Sequence, residues 1–264
     1  MMTKTSGLVR LLVLILVTVV VFTLLVKLGL WQLDRAKEKE EWQATLTQRQ
    51  ASSPLSFSAL LTKANDEPLT GWQLTLTATP VNATLLLLDN QVHQGHVGYL
   101  AYQLLVVEPE QPWILAELGF IEAGLHRDKL PIVQPLVGSQ ALTGRLYQRQ
   151  NNPMSEHLMA EANFSLNDTQ TIRFQNLNFP ELAKLIGHPL VPAVLQPFDD
   201  IAWNSTGTAL AKPWLPIPLS AQKHRGYALQ WFTMAAVFGG IMLWLTIKKI
   251  VKVSTENQSK NAPK

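Results

Sequence analysis

Cysteine is absent from the 264 residues. That excludes a disulfide scaffold, a Cys-ligated zinc or iron–sulfur site, covalent attachment of a c-type haem and a Cys nucleophile. Positive charge is scarce in the middle of the chain. Residues 32–226 hold 14 basic against 18 acidic side chains, and the remainder holds 8 basic and 1 acidic. The net charge of +3 therefore comes from the two ends. No basic stripe interleaved with aromatics marks a nucleic-acid surface, so no nucleic-acid partner is expected. Recognised catalytic signatures are missing too: the chain has no G-x-S-x-G, G-x-x-x-x-G-K-[ST], G-x-G-x-x-G or H-E-x-x-H. No catalytic residue is assigned.

Two long apolar runs are present. Residues 11–26 read LLVLILVTVVVFTLLV, and adding residues 27–31 gives a first span of 11–31. Residues 227–247 read YALQWFTMAAVFGGIMLWLTI, again without a charge. A bilayer core of about 30 Å needs about 20 helical residues. Lys27 can snorkel its ammonium to the interface, and Trp31, Trp214, Tyr227 and Trp231 suit aromatic belts. We therefore expect two transmembrane helices, 11–31 and 227–247, flanking a central domain at 32–226. Residues 1–10 and the basic tail 248–264 are assigned to the cytoplasm, because Lys248, Lys249, Lys252, Lys260 and Lys264 face Glu256 alone there. Arg35, Lys37, Lys39 and Arg49 after the first span oppose this orientation, but long loops translocate largely regardless of charge. No A-x-A site follows the first run, and a charged helix continues from it, which points to an uncleaved anchor. Without an Arg/Ser-rich presequence, the address is a bacterial inner membrane with a periplasmic central domain.

Within that domain, residues 32–50 lack Gly and Pro and read as a helical extension of the first span. Phe57–Ala64 reads as a short helix after Ser53-Pro54. From Gly71 the pattern turns to β, with strands near 72–80, 83–88, 99–107, 113–121, 142–148, 171–177 and 191–196. Pro180–Ile186 is a helix, with Gly187 as its stop. The fold class is α+β: two transmembrane helices around a β-rich, antiparallel, barrel-like domain with short helices. Pro213, Pro216 and Pro218 mark 205–222 as a stiff linker, and the polar stretch 253–264 reads as disordered. Sequons start at Asn82, Asn163, Asn167 and Asn204 and matter only in a eukaryotic secretory pathway.

Few residues are candidates for chemistry. Asp199-Asp200 are adjacent, so a strand would point them apart, and a solvated turn is expected. His93 and His96 make H-x-x-H without an evident third ligand; an exposed loop and a chelate are the two readings. His126, His157 and His188 are single and carry no assigned role. His224 precedes the second span. On a helix it shares a face with Tyr227, Ala228 and Trp231 at i+3, i+4 and i+7. An imidazole beside a small residue and two flat aromatics suits a planar lipophilic ligand, and a neutral imidazole can ligate haem iron. The alternative is an interfacial His within an aromatic belt. Ala235/Gly239 and Ala236/Gly240 are small-xxx-small pairs that allow close helix approach. The partner is either the first span or another membrane protein, and the lack of a matching pair in residues 11–26 favours the second.

LGLWQLDRAK at Leu28–Lys37 resembles the L-G-x-W-Q-x-x-R-x-x-K signature of the Surfeit locus protein 1 family. That family's second signature, H-x-x-Y-A-x-Q-W-F, is matched by His224, Tyr227, Ala228, Gln230, Trp231 and Phe232. Asp89-Asn90 with Gly95 and Gly98-Tyr99 resembles its D-N-x…G-x-x-G-Y segment, and Thr143-Gly144-Arg145-Leu146 its G-x-[VLI] step. The chain departs at Ala116-Glu117-Leu118-Gly119-Phe120, where the family commonly has V-N-R-G-W, as a diverged bacterial member would. The resemblance implies a non-enzymatic assembly factor for haem–copper cytochrome c oxidase that handles haem A. It implies oxidase subunit I and haem A synthase as partners beside the lipid bilayer. It implies His224 as the iron ligand, with Tyr227 and Trp231 against the porphyrin. The rival classes are a membrane-anchored external enzyme, a receptor, and an envelope scaffold that binds no haem. The enzyme lacks clustered titratable groups at recognised spacing. The receptor has only a short tail for output.

Overall fold

A computed structural model describes residues 2–124, 126–127, 129–149, 157–160, 170–214 and 216–260. The chain divides into two compact units, one of Met1–Gln43 with Ile217–Lys264, the other of Ala44–Pro216.

Two long helices supply the first unit. Helix α1 covers Met2–Ala51, and a second long helix, numbered α4 below, covers Ala221–Lys260. Both are long and apolar enough to cross a membrane, with mean hydropathy of 2.8 and 1.6 in their most apolar windows. Leu12–Leu16 on one helix and Leu243, Trp244 and Leu245 on the other are exposed. Apolar side chains turned outward on a helix that satisfies its own backbone suit hydrocarbon rather than water. The charged stretch after the first span stays helical, laced by the Arg35–Glu38 pair at 2.6 Å. The second long helix also runs on to Lys260, so 253–260 is helical where a disordered tail was expected. No Gly or Pro falls between residues 241 and 260, and the Thr255 hydroxyl donates to the Val251 carbonyl at 2.9 Å.

The second unit is built on a closed barrel. Its elements are α2 (Phe57–Lys63), β1 (Gln73–Pro80), β2 (Leu85–His93), β3 (His96–Val106), β4 (Trp113–Glu122), β5 (Gln140–Tyr147), β6 (Thr171–Phe174), α3 (Phe179–Ile186) and β7 (Leu190–Pro197). The strand order is β1-β5-β7-β4-β3-β2-β6, and β1 also pairs with β3 through Thr79↔Val106 and Pro80↔Leu105. Strands β1, β5, β7, β4 and β3 thus close on themselves, and β2 and β6 extend the sheet. Most pairings are antiparallel, as expected. The β4–β7 and β2–β6 pairings are parallel, so the sheet is mixed. Each parallel pair joins strands separated by a long excursion, the connection parallel strands require.

The barrel interior is filled by alternate residues of these strands, among them Leu74, Leu76, Leu87, Tyr99, Leu105, Ile114, Leu118 and Leu195. A second cluster lies on the other face of the sheet, where Phe179, Leu182 and Ile186 of α3 meet Leu86, Tyr102, Leu115, Phe174 and Val194. Helix α3 begins as its sequence dictates: the Asn178 side chain accepts from the Glu181 amide at 2.9 Å. It ends at Gly187 in the left-handed conformation. Beyond the last strand the chain does not run free. Ala211 bridges Phe120, and the Pro213 carbonyl accepts from Gln196 at 3.0 Å. The first Pro-rich residues of the expected linker are therefore packed on the sheet as far as Trp214. Of the four sequons, Asn163 and Asn167 lie outside the described residues.

The last turns of α1 belong to this second unit and are fastened there. Arg49 is 7% exposed and donates to the carbonyls of Pro68 (2.7 Å) and Thr70 (2.8 Å) and to Glu67 (3.0 Å). Its guanidinium also lies over the Trp72 ring, with Lys63 on the same indole. The Lys63 ammonium beside Glu67 holds that carboxyl below the usual carboxylate range.

Candidate functional site

The helix pair of the first unit runs antiparallel along a seam that its small residues permit. Phe22, Gly29 and Ala36 recur every seven residues on α1, and Ala228 and Ala235 recur likewise on α4 (Ala221–Lys260). A seven-residue repeat keeps one stripe of each helix facing the other. Gly29 provides the closest approach: a Cβ there would lie 2.6 Å from the Phe232 ring. Gly239 faces the Phe22 ring, where an added Cβ would stand at 3.2 Å. Ala36, Ala228 and Ala235 are 2%, 1% and 3% exposed. The Ala235/Gly239 face is therefore taken by the chain's own first helix, correcting the expectation of an outside partner for that pair. A bulky Phe knob over Gly fills the role assigned to a matching small pair, and sequence spacing alone did not show it.

One polar contact crosses this seam where the apolar run ends. His224 Nδ1 lies 2.7 Å from Gln32 Oε1. The amide oxygen can only accept, so Nδ1 is the donor, and in a neutral ring Nε2 carries the lone pair. The next residue, Arg225, reaches Glu40 at 2.6 Å. Both groups of that pair are largely exposed, so it contributes about 0–1 kcal/mol.

The sequence candidates separate here. His224 is 8% exposed and turned into the seam with Ala228. Tyr227 is 44% exposed on the flank, and Trp231 is half-buried. Ala228 does not leave room beside the imidazole for a ligand; it packs in the seam. Gln32 was missed as a site residue. The available signal was its place in LGLWQLDRAK, the segment that a Gln–His pair would have to join to H-x-x-Y-A. The structure gives these two dense motifs a common cause, because Gly29 receives Phe232 and Gln32 holds His224.

The other candidates scatter. His93 packs on Phe120 with ring centroids 5.4 Å apart, while His96 pairs with Glu122, so the two imidazoles of H-x-x-H turn to different partners. They sit at the β2–β3 hairpin, in register opposite each other. His188 stacks on Trp113 at 4.1 Å, and His157 lies 3.9 Å from Glu181. Asp199 and Asp200 both serve Lys212, the first through its backbone carbonyl and the second through its carboxylate at 3.5 Å. Among the described residues no group of three His, Asp or Glu is arranged to hold a metal ion.

A second cluster, in the central unit, was not anticipated. Glu117 of β4 is 3% exposed and accepts a hydrogen bond on Oε1 from Gln196 Nε2 at 2.6 Å. Gln196 in turn accepts from Arg145 Nε at 2.6 Å, and the Arg145 guanidinium lies over Trp214 at 4.1 Å. Burial pushes the Glu117 carboxyl up to about 7, against the Gln196 hydrogen bond and the charges of Arg145 and Lys212. Burial likewise raises the Tyr102 phenol, its closest cross-strand neighbour. Gly119, two residues on, has φ +130 and would drive a Cβ to 2.6 Å from Leu210. Glycine is thus required where the 210–211 segment lies down over the cluster.

A family model described as the SURF1 family matches residues 19–236, most of the chain. No curated protein matches it.

Proposed function

The chain belongs to the SURF1 family, which is associated with assembly of cytochrome c oxidase, and from that premise we propose a membrane-anchored assembly factor that assists delivery of haem A to oxidase subunit I. Both termini lie in the cytoplasm of a bacterial inner membrane and the central unit lies in the periplasm. The charge distribution supports this, since the tail after residue 247 has five Lys against one Glu. Haem A synthase and subunit I are the partners.

The observation that carries the proposal beyond the family is the Gln32–His224 pair. An imidazole that donates its Nδ1 proton to a fixed carbonyl oxygen has its tautomer and ring orientation set, as in metal-ligating histidines generally. His224 would hold the iron of the cargo porphyrin, with Tyr227 and Trp231 against its ring. Iron ligation anchors the cargo without chemical change. The donor chemistry fits the cargo. The 8% exposure of His224 adds a condition: the side chains around Nε2 have to part for it to be offered, while Nδ1 stays on Gln32.

That same burial favours one rival, in which His224 only fastens the two helices and the protein scaffolds oxidase assembly without touching haem. Deletion of the gene, followed by measurement of haem a and oxidase activity in membranes, tests the shared premise. Loss of both is expected, and normal values would contradict it. Complementation with His224→Ala separates the two readings: the haem-handling reading expects no rescue, and a scaffold held by many seam contacts expects near-normal rescue.

A further inference from the structure

The Glu117 cluster opens onto a cavity of about 190 Å³ that lies wholly in the central unit. That is room for several waters or a small organic group. Its walls are mostly flat or apolar: Phe120, Tyr147, Leu177 and Trp214. Tyr147 and Trp214 meet edge-on at 6.0 Å. Glu117 is the one acidic side chain in the lining, and only its Oε1 has a hydrogen-bond partner among the described residues. The other oxygen is not sealed off, so it is available to whatever fills the cavity.

Charge decides what that is. Arg149 lines the same cavity, and Arg145 and Lys212 stand close enough to act on Glu117. An incoming cation would meet the Arg149 guanidinium at the wall, with Arg145 and Lys212 behind it. An incoming carboxylate meets Arg149 as its counter-charge and finds a slot whose walls match a flat apolar body.

We propose that this cavity binds a small planar monocarboxylate, held between the Arg149 guanidinium and the Glu117 carboxyl. The site is separate from His224 and does not depend on the haem reading. Glu117 is surrounded by Tyr102 of β3, Gln196 of β7, Arg145 and Tyr147 of β5, and Lys212 and Trp214 of the covering segment. Arg145 and Lys212 are engaged elsewhere, by Gln196 and by Asp199 and Asp200. The proton shared with the ligand is therefore assigned to Glu117.

Benzoate is the probe, titrated calorimetrically into the full-length protein in detergent micelles. Because binding takes up one proton, affinity should fall about tenfold per pH unit above neutrality. Glu117→Gln mimics the protonated acid and should keep the low-pH affinity at pH 8.5. Arg149→Met, at a half-exposed position, should weaken binding at every pH. A thermal melt of each variant at pH 5.5 confirms folding. A peptide ending in a free phenylalanine carboxylate is the second arm. If it displaces benzoate and its C-terminal amide does not, the carboxylate belongs to a partner protein; if neither displaces it, the ligand is a free small acid. Both results support the carboxylate site. No benzoate binding by the folded wild type, a pH-independent affinity, or tighter binding of agmatine as pH rises would overturn it.

Discussion

In a Glu117→Gln variant the buried carboxyl becomes an amide of the same shape that can still accept from Gln196. The proton equilibrium is what changes. Folding raises the Glu117 carboxyl from 4.5 to about 7. At about 1.36 kcal/mol per pH unit, that displacement is worth roughly 3 kcal/mol. The side chain is 3% exposed, so little of this is screened by water. The sign follows from which state gives up its proton first. Below pH 4.5 both states are protonated and the folded protein keeps its full stability. Between 4.5 and about 7 the unfolded chain ionises while the folded one resists, so stability falls as pH rises and levels off above neutrality. A unit of this size loses about 2–4 °C per kcal/mol, which predicts a drop of roughly 6–12 °C between pH 4.5 and 8.5. The assay is thermal unfolding of the full-length protein in micelles, followed by circular dichroism. Other titrating groups contribute to both proteins, so the difference between the two profiles isolates Glu117. Wild type and variant should nearly coincide at pH 4.5, and the variant should be more stable at 8.5. Parallel profiles would refute the reasoning.

The seam offers another test. Gly29→Val forces the Phe232 ring out of its hollow, since even a Cβ would sit at 2.6 Å. A loss of about 1–3 kcal/mol in helix pairing is expected. The chain has no cysteine, so thiols introduced at Phe22 and Gly239 report it cleanly: cross-linking by a short bismaleimide should be efficient in the parent and reduced in the Val variant. Arg49→Met leaves the buried Thr70 carbonyl and the half-buried Pro68 carbonyl without their donor, and should cost the central unit about 3–5 kcal/mol, read as a lowered melting temperature. Gly119→Ala should destabilise comparably, because at φ +130 the added Cβ would meet the Ala211 carbonyl oxygen at 2.8 Å, where the Phe120 amide ties that segment to β4.

Where interactions are local, the chain could be read directly. The two apolar spans, the helical continuation after the first, the Gly187 stop of α3, and the strands all rest on contacts within a few residues. The barrel's closure through Pro80 and Leu105, and the parallel β4–β7 pair, depend on which distant strands meet, and alternation carries no such information. Glu117 lay hidden for the same reason. A polar residue in a strand normally marks the wet face, and the Gln196 that satisfies it is 79 residues away. Gln32 and His224 are 192 residues apart. Tyr227 and Trp231 share a helical face with His224 on a wheel, yet the partner helix takes His224 and Ala228 and leaves Tyr227 outside. Which part of an apolar helix faces protein is set by the neighbour's shape, here Phe232 over Gly29, and hydropathy is blind to it.

The central claim is that His224, its tautomer set by Gln32, offers Nε2 to haem iron. The absorption spectrum and haem content of the protein purified from cells making haem A test it most directly, in wild type, His224→Ala and Gln32→Leu. Wild type should carry haem with the Soret and α bands of an imidazole-ligated iron. His224→Ala should lose the haem, and Gln32→Leu should retain it with shifted bands. Equal haem content and identical spectra in wild type and His224→Ala would contradict the account.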